Sequence, residues 1–439
     1  MTSSTPDSDL RTTIATELGR ARARTLALLD VPAEVQSAQI DPLMSPLVWD
    51  LAHIGNYEEL WLLRAIDGRD AIDPRLDDLY NAFEHPRWAR PSLPILGPDE
   101  ARAYDATVRD EVLDLLDRVD LDTDDPLRRD GFVYGMVIQH EHQHDETLLA
   151  THQLRGELAT GVPGSNPAGW RPEPIASEMV HVEGGPFEMG TVAAAEPWAY
   201  DNETSAHDVE IDPFWIDTTP VSNRAHLAFV EDGGYDDPRW WSPEGWAWRQ
   251  EAALIAPQFW RCEGDGAWSV LRFGRRIDLP LDEPVQHVCF HEAEAHARWA
   301  GKRLPTEAEW EKAATWHPSE GKRRWPWGDT DPTPVHANLS ARHDGPAAVG
   351  SLPAGASPCG AHQMVGDVWE WTSSAFLPYP GFEAFPYAEY SEVFWGPGYR
   401  VLRGGSWAAD AVAVRGTFRN WDLPIRRQIF SGFRCARDA

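Results

Sequence analysis

The chain of 439 residues carries 39 lysines and arginines against 70 aspartates and glutamates, which gives a formal net charge of −31 at pH 7. Hydrophobic residues make up 42% and charged residues 25% of the chain, as in folded globular proteins rather than disordered ones. Such an acidic surface repels phosphate backbones, which argues against nucleic-acid binding. We find no apolar run of the ~18 residues that a membrane span needs. The segment MTSSTPDSDL lacks the basic and apolar regions of a signal peptide.

The four cysteines are far apart and too few for a disulfide scaffold. They predict a protein of the reducing cytoplasm. The length predicts two or three domains at roughly 150 residues each. We expect a monomer or a weak oligomer.

The first predicted domain, residues 1–155, is helical. Apolar residues at spacings of three and four predict a first helix over 9–29. A second helix is predicted from Ser45, as N-cap with Pro46 behind it, to residue 66. Further helices are predicted over 99–119 and 131–155. Four helices joined in this way indicate a four-helix bundle.

Residues 156–177 are rich in glycine and proline and are predicted to be a linker. The second predicted domain, residues 178–439, alternates short apolar runs with turn residues, which indicates a mixed α+β fold. Two helices are predicted within it. One includes residues 222–231, and the other starts at Thr306, where Glu309 completes a capping box. Four tryptophans are expected to fill the core: Trp310, Trp369, Trp371 and Trp407.

The strongest chemical signal is HEHQHDE at 140–146 on the fourth predicted helix. His140 and His144 are at positions i and i+4, so their imidazoles share one face, while His142 should point elsewhere. His53, the only histidine of the second predicted helix, lies on the inward-facing stripe. Three histidines leave positions open for substrate and oxidant and predict a catalytic metal site. The same letters satisfy the HExxH pattern of zinc proteases, with Glu141 as the general base.

The sequence HPRWAR places Arg87 and Arg90 three residues apart in the long connection before the third helix. Two such arginines can hold a carboxylate, although a solvated basic pair is the more frequent meaning of this pattern alone.

The stretches YAEY (387–390) and FRNWD (418–422) are rich in groups that can bind a polar, cationic ligand. Trp421 offers a π face to a quaternary ammonium, and Asp422 can receive a substrate ammonium. A tyrosine near a metal can donate a proton to reduced oxygen. Taken alone, such residues are more often packing.

Together these motifs carry a resemblance. The first domain resembles the DinB-like metal-binding bundle. The motifs LPTEAEWEKAA, GDVWEWT, LRGGSW and GFRCA of the second domain resemble the formylglycine-generating-enzyme-like, C-type-lectin-like fold. Their fusion resembles the ergothioneine-biosynthesis sulfoxide synthase (hercynine oxygenase) family, from about residue 10 to 437. Formylglycine-generating enzymes use two cysteines near the C-terminus, where this chain has only Cys435.

The resemblance implies an iron(II) enzyme that uses O2 to join a cysteine-containing thiol, γ-glutamylcysteine or cysteine, to C2 of the hercynine imidazole. It implies iron ligation by His53, His140 and His144. It implies further roles for matching residues: thiol binding by Arg87, Arg90 and Asp422; hercynine binding by Gln143, Tyr390, Asn420 and Trp421; and catalysis by Tyr387. Because two carboxylates and one ammonium suit the two arginines and Asp422, γ-glutamylcysteine is the expected thiol. Four tyrosines share residues 376–399, and the resemblance implies that the first tyrosine of YAEY, Tyr387, is the catalytic one.

Two other functions remain open from the sequence. One is a thiol S-transferase of the DinB type, which would use zinc or nickel and no oxygen. The other is a non-enzymatic lectin-like module that binds a sugar or a peptide, which predicts no metal in the bundle.

Overall fold

The computed structural model describes residues 6–158, 178–264 and 266–439, which fall into two compact units. The first unit holds the described residues up to 158 together with Glu196–Trp198, and the second holds the remainder. Residues 1–5, part of the segment predicted not to be a signal peptide, and most of the predicted linker 156–177 lie outside the described residues. The predicted domain bounds therefore stay a prediction.

The first unit is a bundle of helices. Its α-helices are α1 (Pro6–Leu28), α2 (Ala33–Ser37), α3 (Leu47–Glu58), α4 (Arg75–Leu79), α5 (Pro98–Leu116) and α6 (Phe132–Arg155). Helix α1 packs on α6, and α3 packs on both α5 and α6. Ile14, Leu18 and Ala21 of α1 are fully buried, so the apolar stripe read from the sequence forms the core. The predicted four-helix bundle is confirmed.

The second long helix differs from its prediction at both ends. It begins at Leu47 with Pro46 as the N-cap residue, so Ser45 does not cap it. Past Glu58 it widens into a π-helix over Glu59–Ala65. The buried carboxylate of Glu59 accepts hydrogen bonds from the Tyr104 hydroxyl and from the backbone N–H of Ile72. Apolar periodicity does not report such tertiary hydrogen bonds, so the sequence predicted an unbroken α-helix.

The second unit combines short helices with small sheets. Its strands are β1 (Met179–Val182), β2 (Gly185–Met189), β3 (His207–Ile211), β4 (Phe214–Asp217), β5 (Trp260–Cys262), β6 (Trp268–Arg272), β7 (Arg275–Asp278), β8 (Trp316–His317), β9 (Gly321–Lys322), β10 (Trp369–Phe376), β11 (Gly396–Arg403), β12 (Asn420–Asp422), β13 (Ser431–Gly432) and β14 (Ala436–Asp438). The largest sheet has the order β12-β11-β10-β13, with β10 and β13 parallel. The others are β1-β4-β14, β5-β6-β7, β2-β3 and β8-β9.

Four α-helices, not two, interrupt these strands among the described residues: α7 (Asn223–Glu231), α8 (Pro243–Glu251), α9 (Phe290–Trp299) and α10 (Glu307–Thr315). The predicted capping box between Thr306 and Glu309 is present at α10, whereas Ser222, predicted to lie within the helix, is the N-cap residue of α7. Helix α8 also has a start signal, Ser242 followed by Pro243. Helices α8 and α9 were missed because each is short, so that its apolar spacing is too brief to establish a period.

The core of the second unit is built on tryptophans, as predicted. Trp310, Trp369, Trp371 and Trp407 are all buried. Burial of an indole N–H without a hydrogen-bond partner is unfavourable. Trp310 donates its N–H to Glu370, and Trp371 donates its N–H to the carbonyl of Val288. All four cysteines are free thiols. Among the described residues, no helix combines the length and apolar character needed to cross a bilayer.

Candidate metal centre and active-site residues

Three histidines of the first unit converge. His53 comes from α3, and His140 and His144 come from successive turns of α6, which packs against α3. One nitrogen of each imidazole lies within 4.8 Å of the other two. The ring centroids of His53 are 5.0 Å from His140 and 4.8 Å from His144. The structure therefore brings together the three residues that the sequence predicted as metal ligands.

Neighbouring aromatic rings fix two of these imidazoles. Trp49, one turn before His53 on α3, stacks on it at a centroid distance of 4.7 Å and an interplanar angle of 13°. Tyr57, one turn after His53, stacks on His140 at 3.8 Å and 15°. The apolar stripe of the second predicted helix thus supports the imidazoles as well as the core.

Hydrogen bonds set which nitrogen of each ring is available. His53 Nδ1 lies 2.8 Å from the carbonyl oxygen of Tyr80, which can only accept, so Nδ1 carries the proton and Nε2 is free. His144 Nδ1 lies 2.9 Å from a carboxylate oxygen of the buried Asp50, with the same consequence. His140 Nδ1 is buried without a hydrogen-bond partner among the described residues. Carbonyl and carboxylate partners such as those of His53 and His144 orient metal-ligating histidines in general.

Burial lowers the pKa of His53 and of His140 well below the ordinary value, and the neighbouring His144 lowers both further. The two imidazoles are therefore neutral near pH 7, which is the form that binds a metal. The geometry of the three histidines, together with the tautomers of His53 and His144, fits a single metal ion.

The zinc-protease interpretation does not fit this geometry. Glu141 is fully buried on another face of α6, with Oε1 2.8 Å from Arg22 and Oε2 2.9 Å from Arg109. Burial alone would raise the pKa of Glu141, but the two guanidinium groups outweigh it and hold this pKa at about 2. A carboxylate engaged in this way cannot serve as the general base. His142 also points away, with Nδ1 3.1 Å from Asp145.

Arg87 and Arg90 lie on one 3₁₀ turn over Arg87–Ser92, and they differ in environment. Arg90 is buried, and its guanidinium carbon lies 3.5 Å from the ring centroid of Trp49, the ring that also stacks on His53. It donates 2.6 Å to the Ser45 hydroxyl and also donates to the carbonyls of residues 82 and 85. Burial lowers the pKa of Arg90 to about 10. Arg87 is half-buried and donates to the carbonyl of Leu43.

The solvated-pair interpretation is therefore wrong for Arg90, and binding of the thiol by the two arginines stays a prediction. Gln143, predicted to contact hercynine, lies between His140 and His144 on α6 and is half-buried. Its role likewise stays a prediction.

The predicted residues of the second unit lie on strand β12 and on the loop before β11. Asn420, Trp421 and Asp422 form β12, the edge strand of the largest sheet, opposite residues 400–402 of β11. Trp421 stacks on Phe376 at 4.1 Å and 9°. Asp422 pairs with Arg426 at 3.4 Å.

The loop tyrosines separate into two groups. The ring of Tyr390 meets Trp421 edge-on at a centroid distance of 5.6 Å, and Tyr387 meets Tyr390 at 6.3 Å. Tyr379 is buried elsewhere, beneath the guanidinium of Arg419, whose carbon lies 4.0 Å from the ring centroid. The structure thus gathers Tyr387 and Tyr390 beside Trp421 and sets Tyr379 apart.

Sequence reasoning missed three groups that support these residues. Asp50 lies one turn before His53 on α3 but bonds to His144 on α6. The sequence therefore showed a carboxylate near the predicted ligands, but not which ligand it contacts. The carbonyl of Tyr80 carries no signal, since any residue type could supply it. Tyr200, which stacks on Tyr390 at 4.1 Å and 17°, is far from it in the sequence and could not be found by motif.

Comparison with known proteins now defines the class. A family model described as DinB superfamily matches residues 17–148, and one described as sulfatase-modifying factor enzyme 1-like domain matches residues 168–439. The chain is therefore a fusion of a DinB-type bundle and a sulfatase-modifying-factor-like domain. The predicted two-domain fold, helical and then α+β, is confirmed.

Relatives that share both halves make the assignment more specific. The hercynine oxygenase of Mycolicibacterium smegmatis is 54% identical over 440 residues, covering 98% of this chain and 99% of the relative. That of Mycobacterium tuberculosis is 53% identical over 429 residues, covering 97% and 98%. A relative that matches a smaller part of the chain is the formylglycine-generating enzyme of Streptomyces coelicolor, 36% identical over 292 residues, covering 60% of this chain and 89% of the relative.

Identity at this level over both halves places the chain in the hercynine oxygenase family. It is accordingly an enzyme of the oxidoreductase class. The family resemblance drawn from the motifs is confirmed.

Proposed function

We propose that this enzyme joins the sulfur of γ-glutamylcysteine to C2 of the hercynine imidazole, with O2 as oxidant and iron(II) as the metal held by His53, His140 and His144. One oxygen atom enters the sulfoxide. The other leaves as water with the hydrogens of the imidazole C–H and the thiol S–H. Four electrons pass from the two substrates to O2, so the reaction needs no further reductant.

The observation that carries the proposal is the cluster of three imidazoles, each with one nitrogen within 4.8 Å of the other two. Iron bound there would activate O2 beside both substrates, since three protein ligands leave coordination positions open. The chain's own contribution is to hold the imidazoles in place. The Tyr80 carbonyl and the Asp50 carboxylate keep protons on Nδ1 of His53 and His144, so that each Nε2 lone pair is available.

The substrate-binding residues supply charges that match the two substrates. Arg87 and Arg90 suit the two carboxylates of γ-glutamylcysteine, and Asp422 suits its ammonium. We assign Gln143, Tyr390, Asn420 and Trp421 to hercynine. The Trp421 ring suits its trimethylammonium group, since a π face attracts a quaternary cation.

We further propose that the Tyr387 hydroxyl donates a hydrogen bond or a proton to the oxygen that is being reduced. A thiol exposed to O2 at a metal can be oxidised to a sulfinate instead of forming a C–S bond. A phenol beside the reacting oxygen changes which bond forms first. Because a reduced thiol is required, we place the reaction in the cytoplasm.

The test uses the full chain loaded with iron(II) under anaerobic conditions. Oxygen uptake is followed after adding hercynine with either γ-glutamylcysteine or cysteine, and the product is weighed by mass spectrometry. We expect one O2 consumed per sulfoxide and higher kcat/KM with γ-glutamylcysteine. Thiol transfer without oxygen uptake, supported by zinc or nickel, would indicate an S-transferase instead. A chain that binds no metal would favour a lectin-like binding protein.

A further inference from the structure

The loop that carries Tyr387 and Tyr390 has little regular structure of its own. Between β10 and β11, its only elements near these residues are short 3₁₀ turns over Ala388–Tyr390 and Glu392–Phe394. A phenol on such a loop needs support from outside the loop to hold a fixed position.

That support comes from residues 200–202, which lie almost two hundred positions earlier in the chain. One carboxylate oxygen of Asp201 accepts a hydrogen bond of 3.2 Å from the backbone N–H of Phe385. The other accepts a hydrogen bond of 2.6 Å from the Ser391 hydroxyl. A single buried carboxylate thus holds both ends of the segment that contains the two tyrosines.

Two neighbours of Asp201 complete the arrangement. Asn202 donates a hydrogen bond of 3.0 Å from Nδ2 to the Ser391 hydroxyl oxygen, and Tyr200 stacks on Tyr390. Asp201, Asn202 and Ser391 are at most 3% exposed. We call residues 200–202 together with Ser391 the loop clamp.

The loop clamp also holds strand β12. The carbonyl of Asn202 accepts a hydrogen bond of 2.9 Å from the Arg419 guanidinium, which is fixed in turn by Glu307 at 2.7 Å. Arg419 directly precedes Asn420 and Trp421. The same short segment therefore contacts both the tyrosine loop and the strand that carries Trp421.

We propose that the loop clamp is a positioning device, which sets the Tyr387 hydroxyl relative to the Trp421 side of the site and thereby determines how much C–S product forms. This inference rests on the role proposed above for Tyr387. Burial of the Asp201 carboxylate is unfavourable in itself and raises its pKa, although hydrogen bonds from Ser391 and Phe385 oppose that shift. Small displacements of a catalytic group have large kinetic effects. The unfavourable burial of the Asp201 carboxylate is therefore explained if it holds Tyr387 in place.

The test compares Ser391→Ala and Asp201→Asn with the matched control Ser431→Ala. Ser431 is also fully buried in the second unit, and it donates to the carbonyl of Val288, away from the loop. For each iron-loaded variant, the ratio of sulfoxide to oxidised thiol, the KM of both substrates, the iron content and the melting temperature are measured. We expect the ratio to fall about three- to tenfold in the two clamp variants and to stay at the parent value in Ser431→Ala. Iron content should not change.

A double variant separates positioning from general damage. If the loop clamp acts through Tyr387, Ser391→Ala should change the ratio no further in a Tyr387→Phe background, because coupled residues are not additive. An unchanged ratio in both folded clamp variants would overturn the proposal, as would failure of both to fold where Ser431→Ala folds. If Tyr387→Phe alone leaves the ratio unchanged, it is the proposed role of Tyr387 that fails. A shift in Tyr387→Phe without one in the clamp variants rejects the clamp alone.

Discussion

The two groups of candidate site residues are built in opposite ways. In the bundle, His53, His140 and His144 stand on α3 and α6, and their positions follow from helical spacing and from the packing of two helices. In the second unit, Tyr387, Tyr390 and Trp421 stand on an irregular loop and an edge strand. Their positions depend on hydrogen bonds from residues far away in the sequence.

The contrast indicates a division of labour. A metal site tolerates little variation in ligand distance, and rigid helices provide that constancy. Loops can be altered without disturbing the core, so they are suited to selecting a substrate or directing an outcome. We therefore expect changes in the bundle to abolish metal binding, and changes in the loop to alter what the enzyme makes.

The largest expected effect is loss of the metal. His140→Ala removes one of three ligands, and we expect iron content and affinity to fall at least about tenfold. His142→Gln is the matched control on the same helix, because His142 faces Asp145 and not the cluster. Metal analysis after dialysis measures both variants. Full iron occupancy in His140→Ala would remove this histidine from the ligand set.

The next effect tests whether Arg87 and Arg90 share one role. Loss of a charged contact to the thiol should raise its KM about thirtyfold in Arg87→Ala, with the KM for hercynine nearly unchanged. Arg90→Ala should also lower the melting temperature, because the buried guanidinium stacks on Trp49 and bonds to Ser45. Steady-state kinetics with each substrate varied in turn gives both KM values. Equal rises for the two substrates in Arg87→Ala would contradict a specific thiol contact.

A smaller effect should appear in the product and not in binding. Tyr387→Phe removes one hydroxyl, and we expect about a tenfold shift from the sulfoxide toward oxidised thiol, with iron content retained. Tyr379→Phe is the comparison from the same loop: Tyr379 lies under Arg419, and a shift in that variant in place of Tyr387→Phe would move the catalytic role to Tyr379. Product ratios by mass spectrometry decide the matter. If only Tyr390→Phe shifts the ratio, the catalytic role moves to Tyr390.

How far the sequence could predict each region follows from the same contrast. The i, i+4 pair of His140 and His144 is a local property of the fourth predicted helix, and the inward-facing stripe of the second predicted helix supplied His53. Local spacing therefore predicted the whole histidine cluster. The π-helix over Glu59–Ala65 was missed because apolar periodicity does not distinguish one π-helical turn from an α-helix.

In the second unit the tyrosines and Trp421 were identified by resemblance, and their mutual arrangement was not. Tyr200 and Asp201 meet Tyr390 and Ser391 only after the chain has folded, and no local pattern links positions so distant. Motifs can name such residues, whereas the contacts that hold them require the structure.

The smallest expected effect is a loss of stability at acid pH, which arises from buried histidines of the second unit. Burial lowers the pKa of His287 and of His296 from 6.5 to about 3. His296 stacks on His226 at 5.0 Å and is further disfavoured as a cation by Lys302. Below pH 6.5, the ordinary pKa of histidine, the unfolded chain binds a proton at each of these positions, whereas the folded chain does not. Their contribution to stability is therefore present above pH 6.5 and is lost as the pH falls toward 3.

Each such histidine should lower the free energy of unfolding by up to about 1.4 kcal/mol for every pH unit below 6.5. Urea unfolding of the parent and of His296→Gln at pH 7.5 and pH 5.5 measures this slope. We expect a shallower slope in His296→Gln, because the variant lacks one imidazole that is protonated in the unfolded chain and neutral in the folded chain. Equal slopes in the parent and in His296→Gln would mean that the folded chain accepts a proton at His296, in spite of its burial among aromatic rings.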